Sequence, residues 1–423
     1  MRSVCWEVKS RSNISRRVRN TVALFASLLA ILSCTTSKRK FESTSGVFPG
    51  SVGVGATLRR GDVPGNRVGI VCTMRPNNDL ISWLNYHRAI GASHFFVVFD
   101  AKDIPSEVLH RYRRMRDVDV YTSAQTDFWR NKSEIIGLER MQKHVKNPVC
   151  GVDRVFVQQA LNVEFIIHEI LAGSVRGLKN IDWLIHIDAD ELIYPAELKS
   201  DFDISHLLAT IPNFVGRVVF PNYEAVPERL NNLDPFVDVT LFRRSYKHLD
   251  AGLYSKYRDA SKRDNPNYFL GYSNGKSAAR VLDDLRPVGV HNFEHIRSRH
   301  LKEITLNESV ILHYGFADYS RVLGRFAQCD CPPEFTQKCK RLPFDLELAR
   351  KYDEATYATS SKKEELQKWY EARVVVSAES TYMVKFLKLG MLTRINLPSV
   401  LIQQLRSTSC GVILSILLHF ASR

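Results

Sequence analysis

The sequence predicts an α/β fold with a mostly parallel central sheet. Short apolar runs alternate with segments of helical periodicity between residues 68 and 188. Such a β-α-β-α-β order favours a parallel sheet with helices on both faces. The run 183–187 is apolar except for His186, as is typical of a strand buried on both faces. Acidic residues follow two of the runs directly, at Asp100 and Asp188, where open α/β sheets bind their ligands.

The predicted elements follow in chain order. Strands are expected at 68–73, 94–100, 118–121 and 183–188, with shorter ones at 218–220, 239–242 and 288–291. Helices are expected from Asp79 to a stop at Gly91, around 108–112, from Phe156 to Val175 and, in a charged region, from Pro332 through Trp369. This order predicts a sheet domain at 67–326 and a helical C-terminal extension at 327–423.

The charge distribution argues against nucleic-acid binding. The chain of 423 residues has a net charge of +14, and its composition of 44% hydrophobic and 25% charged residues is that of a globular protein. Residues 1–66 alone carry a net charge of +8, so most of the excess belongs to a tail and not to a folded binding face. We therefore expect no nucleic-acid partner.

The N-terminal segment predicts a membrane anchor. Four arginines, at positions 11, 16, 17 and 19, precede an uncharged stretch of 18 residues from Asn20 to Ser37. This length is close to the minimum of about 17 residues for a membrane-spanning helix. We predict a cytoplasmic basic tail at 1–20, a signal-anchor at 21–37 and a flexible stem rich in Ser and Gly at 38–66. A cleaved signal peptide is the alternative.

The acidic cluster after the fourth predicted strand is a candidate cation site. Strand side chains alternate between faces, so Asp188 and Asp190 are expected to point the same way. Two carboxylates at the carboxyl end of a strand suit a hard divalent cation that keeps positions for water and substrate phosphates. The alternative is that an aspartate caps a helix opening at Glu191.

Other polar residues match the needs of a nucleotide sugar. A carboxylate such as Asp100 can take ribose hydroxyls or a base edge, and a cation must neutralise the diphosphate as it leaves. A lysine or histidine, here Lys276, His291 or His313, can stabilise the departing charge. Each also has a structural alternative. Asp100 can cap a helix, Lys276 can be a solvated residue of a glycine-flanked turn, and a histidine beside an aromatic residue is often only buried and hydrogen-bonded.

Four motifs, in this order and spacing, carry a family resemblance. The first comprises 71–73, 83–87 and 91–95; the second is 183–191, with its aspartate-x-aspartate-glutamate end; the third leads from 275–276 to 288–291; the fourth is 312–314 before a Phe-containing helix. Over 67–326 the chain resembles a GT-A-type glycosyltransferase, close to family 92 and the related family 2-like group. It departs from that pattern at Asn78-Asp79, where a glutamate is expected shortly before the tryptophan, and at Leu192 in place of Phe.

The resemblance implies a Rossmann-like GT-A sandwich. The implied reaction is the transfer of a sugar from a nucleoside-diphosphate sugar to a glycan or glycoconjugate acceptor, with inversion. Together with the predicted anchor, it implies a single-pass type II protein of the Golgi or another secretory-pathway membrane, with the catalytic domain in the lumen.

The resemblance also implies roles for individual residues. Asp188 and Asp190 would bind a divalent cation, usually Mn²⁺ in this fold, and His291 or His313 would complete the metal shell. The residues implied in binding the nucleotide sugar are Thr73, Asp100, Asp188 and, at the diphosphate, Lys276.

The catalytic base stays open at this stage. Inversion needs a carboxylate near the acceptor hydroxyl, and the candidates are Glu191, Glu224 and Glu294, with Asp283 and Asp284 as further choices. A non-catalytic carbohydrate-binding or scaffolding protein is the alternative from another class. A remote alternative is a zinc peptidase that uses His291, Glu294 and His295, although that chemistry needs both histidines on one helix face.

Overall fold

The structure is a computed structural model. It describes residues 66–75, 80–100, 104–122, 151–173, 181–196, 202–255, 274–326, 343–356, 360–379 and 381–407. Residues 58–402 form one compact unit that contains all the described strands. A second unit comprises 1–57 and 403–423, and of it only 403–407, which are helical, are described. The predicted anchor at 21–37 lies outside the described residues.

Strands and helices alternate at the start of the described chain, and several strands follow one another directly further along. The strands are β1 Val68–Met74, β2 His94–Phe99, β3 Val118–Thr122, β4 Trp183–His186, β5 Glu191–Tyr194, β6 Val215–Phe220, β7 Asn222–Ala225, β8 Leu241–Arg243, β9 Lys276–Arg280, β10 Leu285–Val288, β11 Asn292–His295, β12 Lys302–Thr305, β13 Val310–His313 and β14 Leu392–Arg394. The helices are α1 Leu80–Ala89, α2 Ser106–Arg113, α3 Gly151–Leu171, α4 Ile204–Ala209, α5 Pro235–Asp238, α6 Tyr319–Phe326, α7 Pro343–Thr356, α8 Ser360–Val374 and α9 Thr381–Lys388.

The central sheet is mixed but rich in parallel pairs, which confirms the predicted α/β class. Its seven strands run in the order β12-β6-β9-β4-β1-β2-β3. β1 pairs in parallel with both β4 and β2, and β2 pairs in parallel with β3. β9 is antiparallel to its neighbours β4 and β6. The carboxyl ends of β1, β2 and β4 therefore meet the start of β9 at one edge of the sheet.

A second sheet meets that edge through β5. Its order is β14-β8-β7-β13-β5, and β13 is antiparallel to β5 but parallel to β7. Two predicted strands differ from the structure. The strand predicted at 183–188 ends at His186, where the chain turns toward Asp188. Of the strand predicted at 288–291, only Val288 lies in a strand, β10, and 289–291 form the turn before β11, with Gly289 at a positive φ.

The apolar runs are continuous because the central sheet is covered on both faces. Ile70, Phe95 and Val97 belong to one buried cluster with residues of α1, whereas Val71 and Phe96 belong to another with residues of α3. Neighbouring residues thus face opposite helices, and all six residues of β2 are buried. Each strand is thereby fixed from both sides, which keeps the polar edge in place.

The described residues from Pro343 onward are largely helical, and they also contribute strand β14 to the second sheet. Its residues Phe344, Leu348 and Tyr370 are buried together with Phe316. The Tyr370 hydroxyl donates to the Phe316 carbonyl oxygen at 2.9 Å. Among the described helices, none combines the length and the apolar character needed to cross a bilayer.

Candidate functional site

The candidate site lies where β4 ends. After His186 the chain forms a turn at 187–190 and then enters β5 at Glu191. Because Asp188 and Asp190 lie in this turn and not in a strand, strand alternation does not align their side chains. Asp188 contacts Lys276, whereas Asp190 lies near His313. The two aspartates therefore belong to different groups of charges.

The first group, here named the lysine cluster, comprises Asp188, Glu191 and Lys276. Lys276 Nζ lies 2.7 Å from Asp188 Oδ2 and 3.5 Å from Glu191 Oε2. It also donates to the carbonyl oxygen of Val290 at 3.2 Å. The lysine side chain is 0% exposed. Glu191 Oε2 in turn accepts the backbone N–H of Asp188 at 2.7 Å, which closes the turn.

Local backbone geometry places Lys276. Gly275 has φ of +70°, and a Cβ there would lie 2.1 Å from the Phe220 carbonyl oxygen. Only glycine fits this close approach at a positive φ. The following residue therefore enters β9 with its side chain beneath the turn that carries Asp188.

Burial and charge set the protonation of the lysine cluster. Burial works to raise the pKa of Asp188, but the Lys276 ammonium outweighs it and holds that pKa well below its usual range. Burial raises the pKa of Glu191 to about 7 against the attraction of Lys276. Burial and the same ammonium lower the pKa of His186 to about 4 and that of His291 to about 3. Both neighbouring imidazoles are therefore neutral at pH 7.

The second group, here named the histidine cluster, comprises Asp190, His313 and Glu224. β13 lies between β5 and β7, and His313 pairs in register with Glu224. Its Nδ1 donates to Glu224 at 2.8 Å, and its Nε2 lies 3.7 Å from Asp190 Oδ2. Burial opposes a charged ring, but Glu224 and Asp190 outweigh burial and raise the pKa of His313 to about 10. The Asp190 side chain is 42% exposed.

A glycine again allows the arrangement. A Cβ at Gly315 would lie 2.6 Å from Cε1 of the His313 ring. The ring thus rests against the backbone of the residue two positions later. Backbone contact also holds Asp190, whose carbonyl oxygen accepts the N–H of Tyr314 at 2.8 Å.

Helix α3 supplies polar side chains that the sequence analysis missed. Gln159 Nε2 donates to Asp188 Oδ1 at 2.8 Å, and Asn162 Nδ2 donates to Thr73 Oγ1 at 2.9 Å. Gln158 donates to Asn162 at 3.0 Å. Arg154 lies 3.7 Å from Asp100. The available signal was the spacing of 154, 158 and 162, which places polar residues on one face of an otherwise apolar helix.

The tryptophan-to-histidine segment of α1 has a structural role at this site. Trp83 Nε1 donates to the carbonyl oxygen of Glu191 at 2.9 Å, and the Tyr86 hydroxyl donates to that of Ile193 at 2.8 Å. His87 Nε2 accepts the Ile193 N–H at 3.3 Å. Burial lowers the pKa of His87 to about 3, so this ring is neutral. These contacts fix β5 and hence the position of Glu191.

The structure brings most, but not all, of the predicted residues together. Thr73, in β1, and Asp100, directly after β2, lie at the carboxyl edge of the sheet. His291 lies in the turn between β10 and β11, and its carbonyl oxygen accepts the Ser277 hydroxyl at 3.1 Å. Glu294 instead lines a separate cavity of about 290 Å³ together with Arg217.

The geometry required for a zinc peptidase is absent at the proposed residues. Glu294 and His295 lie in strand β11 and not in a helix, so His291 and His295 do not share a helix face. His295 Nδ1 instead contacts Asp284 Oδ1 at 3.2 Å.

The rim, here defined as Asp190 and His313, offers one carboxylate and one imidazole to a cation that takes few protein ligands. The described residues contain no group of three or more acidic, His or Cys side chains arranged to hold a metal ion. Two neighbouring ligand atoms at about 2.1 Å from one octahedral cation lie about 3.0 Å apart. His313 Nε2 and Asp190 Oδ2, at 3.7 Å, would have to approach each other by about 0.7 Å to share such a cation. The bond from His313 Nδ1 to Glu224 matches the carboxylate partner that metal-binding histidines commonly have.

Comparison with known proteins adds an independent finding. Two glycosyltransferase-like proteins of Arabidopsis thaliana are each 34% identical to this chain, over 331 and 342 residues. The alignments cover 77% and 80% of this chain, and 69% and 63% of the respective relatives. The chain thus spans about two thirds of the length of these relatives. No protein-family model matches the sequence.

Proposed function

We propose, because this chain belongs to the family of its two glycosyltransferase-like relatives, that it transfers a sugar from a nucleoside-diphosphate sugar to a hydroxyl group of a glycan or glycoconjugate. The proposed site is of the GT-A type and lies at the carboxyl edge of β1, β2 and β4. Support comes from the position of the edge, because open α/β sheets bind nucleotides there.

The observation that carries the proposal is the pair of Asp190 and His313 at the rim. A half-exposed carboxylate and an imidazole nitrogen 3.7 Å apart would together hold one divalent cation, for which we propose Mn²⁺. When bound, this cation would neutralise the diphosphate of the donor. Ligation through Nε2 requires that this nitrogen lose its proton, while Nδ1 keeps its bond to Glu224.

The remaining residues at the edge would orient the donor. Thr73 and Asp100 are proposed to contact the nucleoside, because their strands end beside the rim. Arg154 would hold the Asp100 carboxylate, and Asn162 would orient the Thr73 hydroxyl. His291, kept neutral by burial and by Lys276, is a further candidate for the cation or for the leaving diphosphate.

The proposed reaction breaks the bond between the sugar C1 and the β-phosphate oxygen and forms a bond from C1 to the acceptor oxygen. The acceptor proton passes to a base, and the nucleoside diphosphate leaves. Of the predicted bases, Glu191 and Glu224 lie beside His313, but both are buried and already paired, Glu191 with Lys276 and Glu224 with His313, so we assign the base to neither. Inversion at C1 and a type II location in a secretory-pathway membrane such as the Golgi are further parts of the proposal.

The test is release of nucleoside diphosphate by the purified full chain, with a panel of UDP- and GDP-sugars and with MnCl₂ present or absent. We expect metal-dependent turnover, and we expect Asp190→Asn to lower it by more than about 100-fold. Loss of a residue that only hydrogen-bonds a metal ligand already lowers metal affinity or activity by about 10–100-fold. Asp284→Asn is the matched control, because Asp284 also contacts a histidine but lies in the β10–β11 region. A clean preparation that binds no nucleotide would instead favour the carbohydrate-binding or scaffolding alternative.

A further inference from the structure

The geometry points to a division of labour within the aspartate pair. We propose that Lys276 is a positioning residue that anchors the half-buried Asp188 and the buried Glu191, so that Asp190 is the member of the pair presented to a cation. This inference rests on the proposed function, and it replaces the predicted contact between Lys276 and the diphosphate.

The first step is the environment of the Lys276 ammonium. An ammonium group has three N–H donors. Three oxygen acceptors surround Nζ: Asp188 Oδ2 at 2.7 Å, Val290 O at 3.2 Å and Glu191 Oε2 at 3.5 Å. The side chain has no exposed surface. A diphosphate would reach Nζ only if Lys276 gave up these partners and left the interior.

The second step is the difference between the two aspartates. Asp188 has a donor at each carboxylate oxygen, Gln159 at Oδ1 and Lys276 at Oδ2. Asp190 is more exposed, at 42% against 30%, and its Oδ2 lies 3.7 Å from His313 Nε2. A cation that approaches from solvent therefore meets the Asp190 carboxylate without displacing a buried lysine.

The third step links Lys276 to the position of Asp190. Glu191 Oε2 accepts the Asp188 N–H, and Glu191 N donates to the Asp188 carbonyl oxygen at 3.1 Å. These two bonds close the turn that contains Asp190. The Lys276 ammonium neutralises Glu191 and Asp188 together. It therefore stabilises the turn without contacting the cation or the donor diphosphate.

The test measures the binding of MnCl₂ alone to the full chain by isothermal titration calorimetry. We expect Asp190→Asn to weaken Mn²⁺ binding by more than about 100-fold and Asp188→Asn to change it by less than about threefold. Asp188→Asn keeps the shape of the side chain and one acceptor oxygen, so the hydrogen bond from Lys276 can be retained while that from Gln159 is lost. Equal losses in the two variants would overturn the division of labour.

A second measurement tests the anchor itself. We expect Lys276→Met to lower the Tm by about 10 °C, because it leaves two buried carboxylates without their cation. The double variant Asp188→Asn/Lys276→Met should recover part of that loss. Lys276→Met with a wild-type Tm but weaker binding of UDP would overturn the proposal and restore the diphosphate contact.

The two readouts separate this inference from the proposed function. If wild-type protein binds no Mn²⁺, the metal part of the proposed function fails and with it the role given to Asp190. The Tm values of the single and double variants then still decide whether Lys276 anchors Asp188. If Lys276→Met does not fold, Lys276→Arg takes its place, and a wild-type Tm for that larger cation would contradict the closed packing around Nζ.

Discussion

The lysine cluster and the histidine cluster have the same arrangement of charges but differ in the exposure of their cations. Each contains one cationic side chain between an aspartate and a buried glutamate, and the two clusters are neighbours, because Glu191 pairs in register with His313. Lys276 is fully enclosed, whereas the His313 side chain is 17% exposed and its neighbour Asp190 is more exposed than Asp188. The same arrangement of charges therefore serves stability in one cluster and places an exposed carboxylate beside a histidine in the other.

The type of cation explains the difference. A lysine is a point charge that cannot be a metal ligand while it is protonated, and here its donors all face protein oxygens. A histidine has two ring nitrogens, so His313 can hold Glu224 with one and offer the other to the rim. An aspartate-x-aspartate motif therefore does not by itself give its two members equal roles.

The largest effect should follow from Glu224→Gln. The substitution keeps an acceptor for His313 Nδ1 but removes the buried negative charge that balances the ring, so we expect a loss of about 3 kcal/mol in the free energy of unfolding. We also expect Mn²⁺ affinity to fall by about 10–100-fold, because the proposed ligand loses its orienting carboxylate. Urea unfolding and calorimetric titration with MnCl₂ measure the two effects.

Glu294→Gln is the control for that substitution. Glu294 was also a predicted base, but it lines the cavity that contains Arg217. Glu294→Gln should leave Mn²⁺ affinity within about threefold of wild type. A similar loss of affinity in both variants would mean that the effect is general and does not depend on the bond to His313.

Much of the framework was predictable from the sequence, because burial on both faces leaves a direct pattern. The first four strands and the helices between them were located from apolar runs, and the carboxyl edge followed from their order. The partners of the acidic residues were not predictable. Lys276 and Gln159 reach Asp188 from positions 88 and 29 residues away, and no local pattern encodes such contacts.

The direction of the two aspartates was also beyond local reasoning. Alternation would align them if β4 continued, but β4 ends at His186. The turn is then fixed by the Glu191 carboxylate and by the Tyr314 N–H, which belong to the second sheet and to the chain just beyond it. Tertiary contacts, and not strand geometry, separate Asp188 from Asp190.

Gln159→Leu should have an intermediate effect that is confined to the lysine cluster. The amide of Gln159 is buried and donates to the charged Asp188 carboxylate. Its loss is expected to cost about 1.5 kcal/mol in the free energy of unfolding. Mn²⁺ affinity should change by less than about threefold, because Asp188 is not the proposed ligand.

Gln367→Leu is the matched control, since Gln367 is exposed in α8. It should stay within about 0.5 kcal/mol of wild type in urea unfolding. A loss of Mn²⁺ binding in Gln159→Leu that matched the loss in Asp190→Asn would contradict the separation of the two clusters.

The smallest effect is expected at Asp284 and His295, a carboxylate–imidazole pair that lies outside both clusters. Asp284 accepts the N–H groups of Arg297 and Ser298 and contacts His295. Burial works to raise the pKa of Asp284, but these hydrogen bonds outweigh it and lower that pKa to about 2. Asp284→Asn should lower the free energy of unfolding by about 1 kcal/mol at pH 7 and leave Mn²⁺ affinity unchanged.

The pH dependence of that cost follows from the direction of the shift. The folded pKa of Asp284 lies below the ordinary value of 3.8 for a free aspartate, so its stabilisation is complete above about pH 4 and is lost as the pH falls through about 2. The difference in unfolding free energy between wild type and Asp284→Asn should therefore shrink between about pH 5 and about pH 3 in urea titrations. A difference that stayed constant over this range would show that Asp284 acts through its shape and not its charge, unlike the carboxylates of the lysine and histidine clusters.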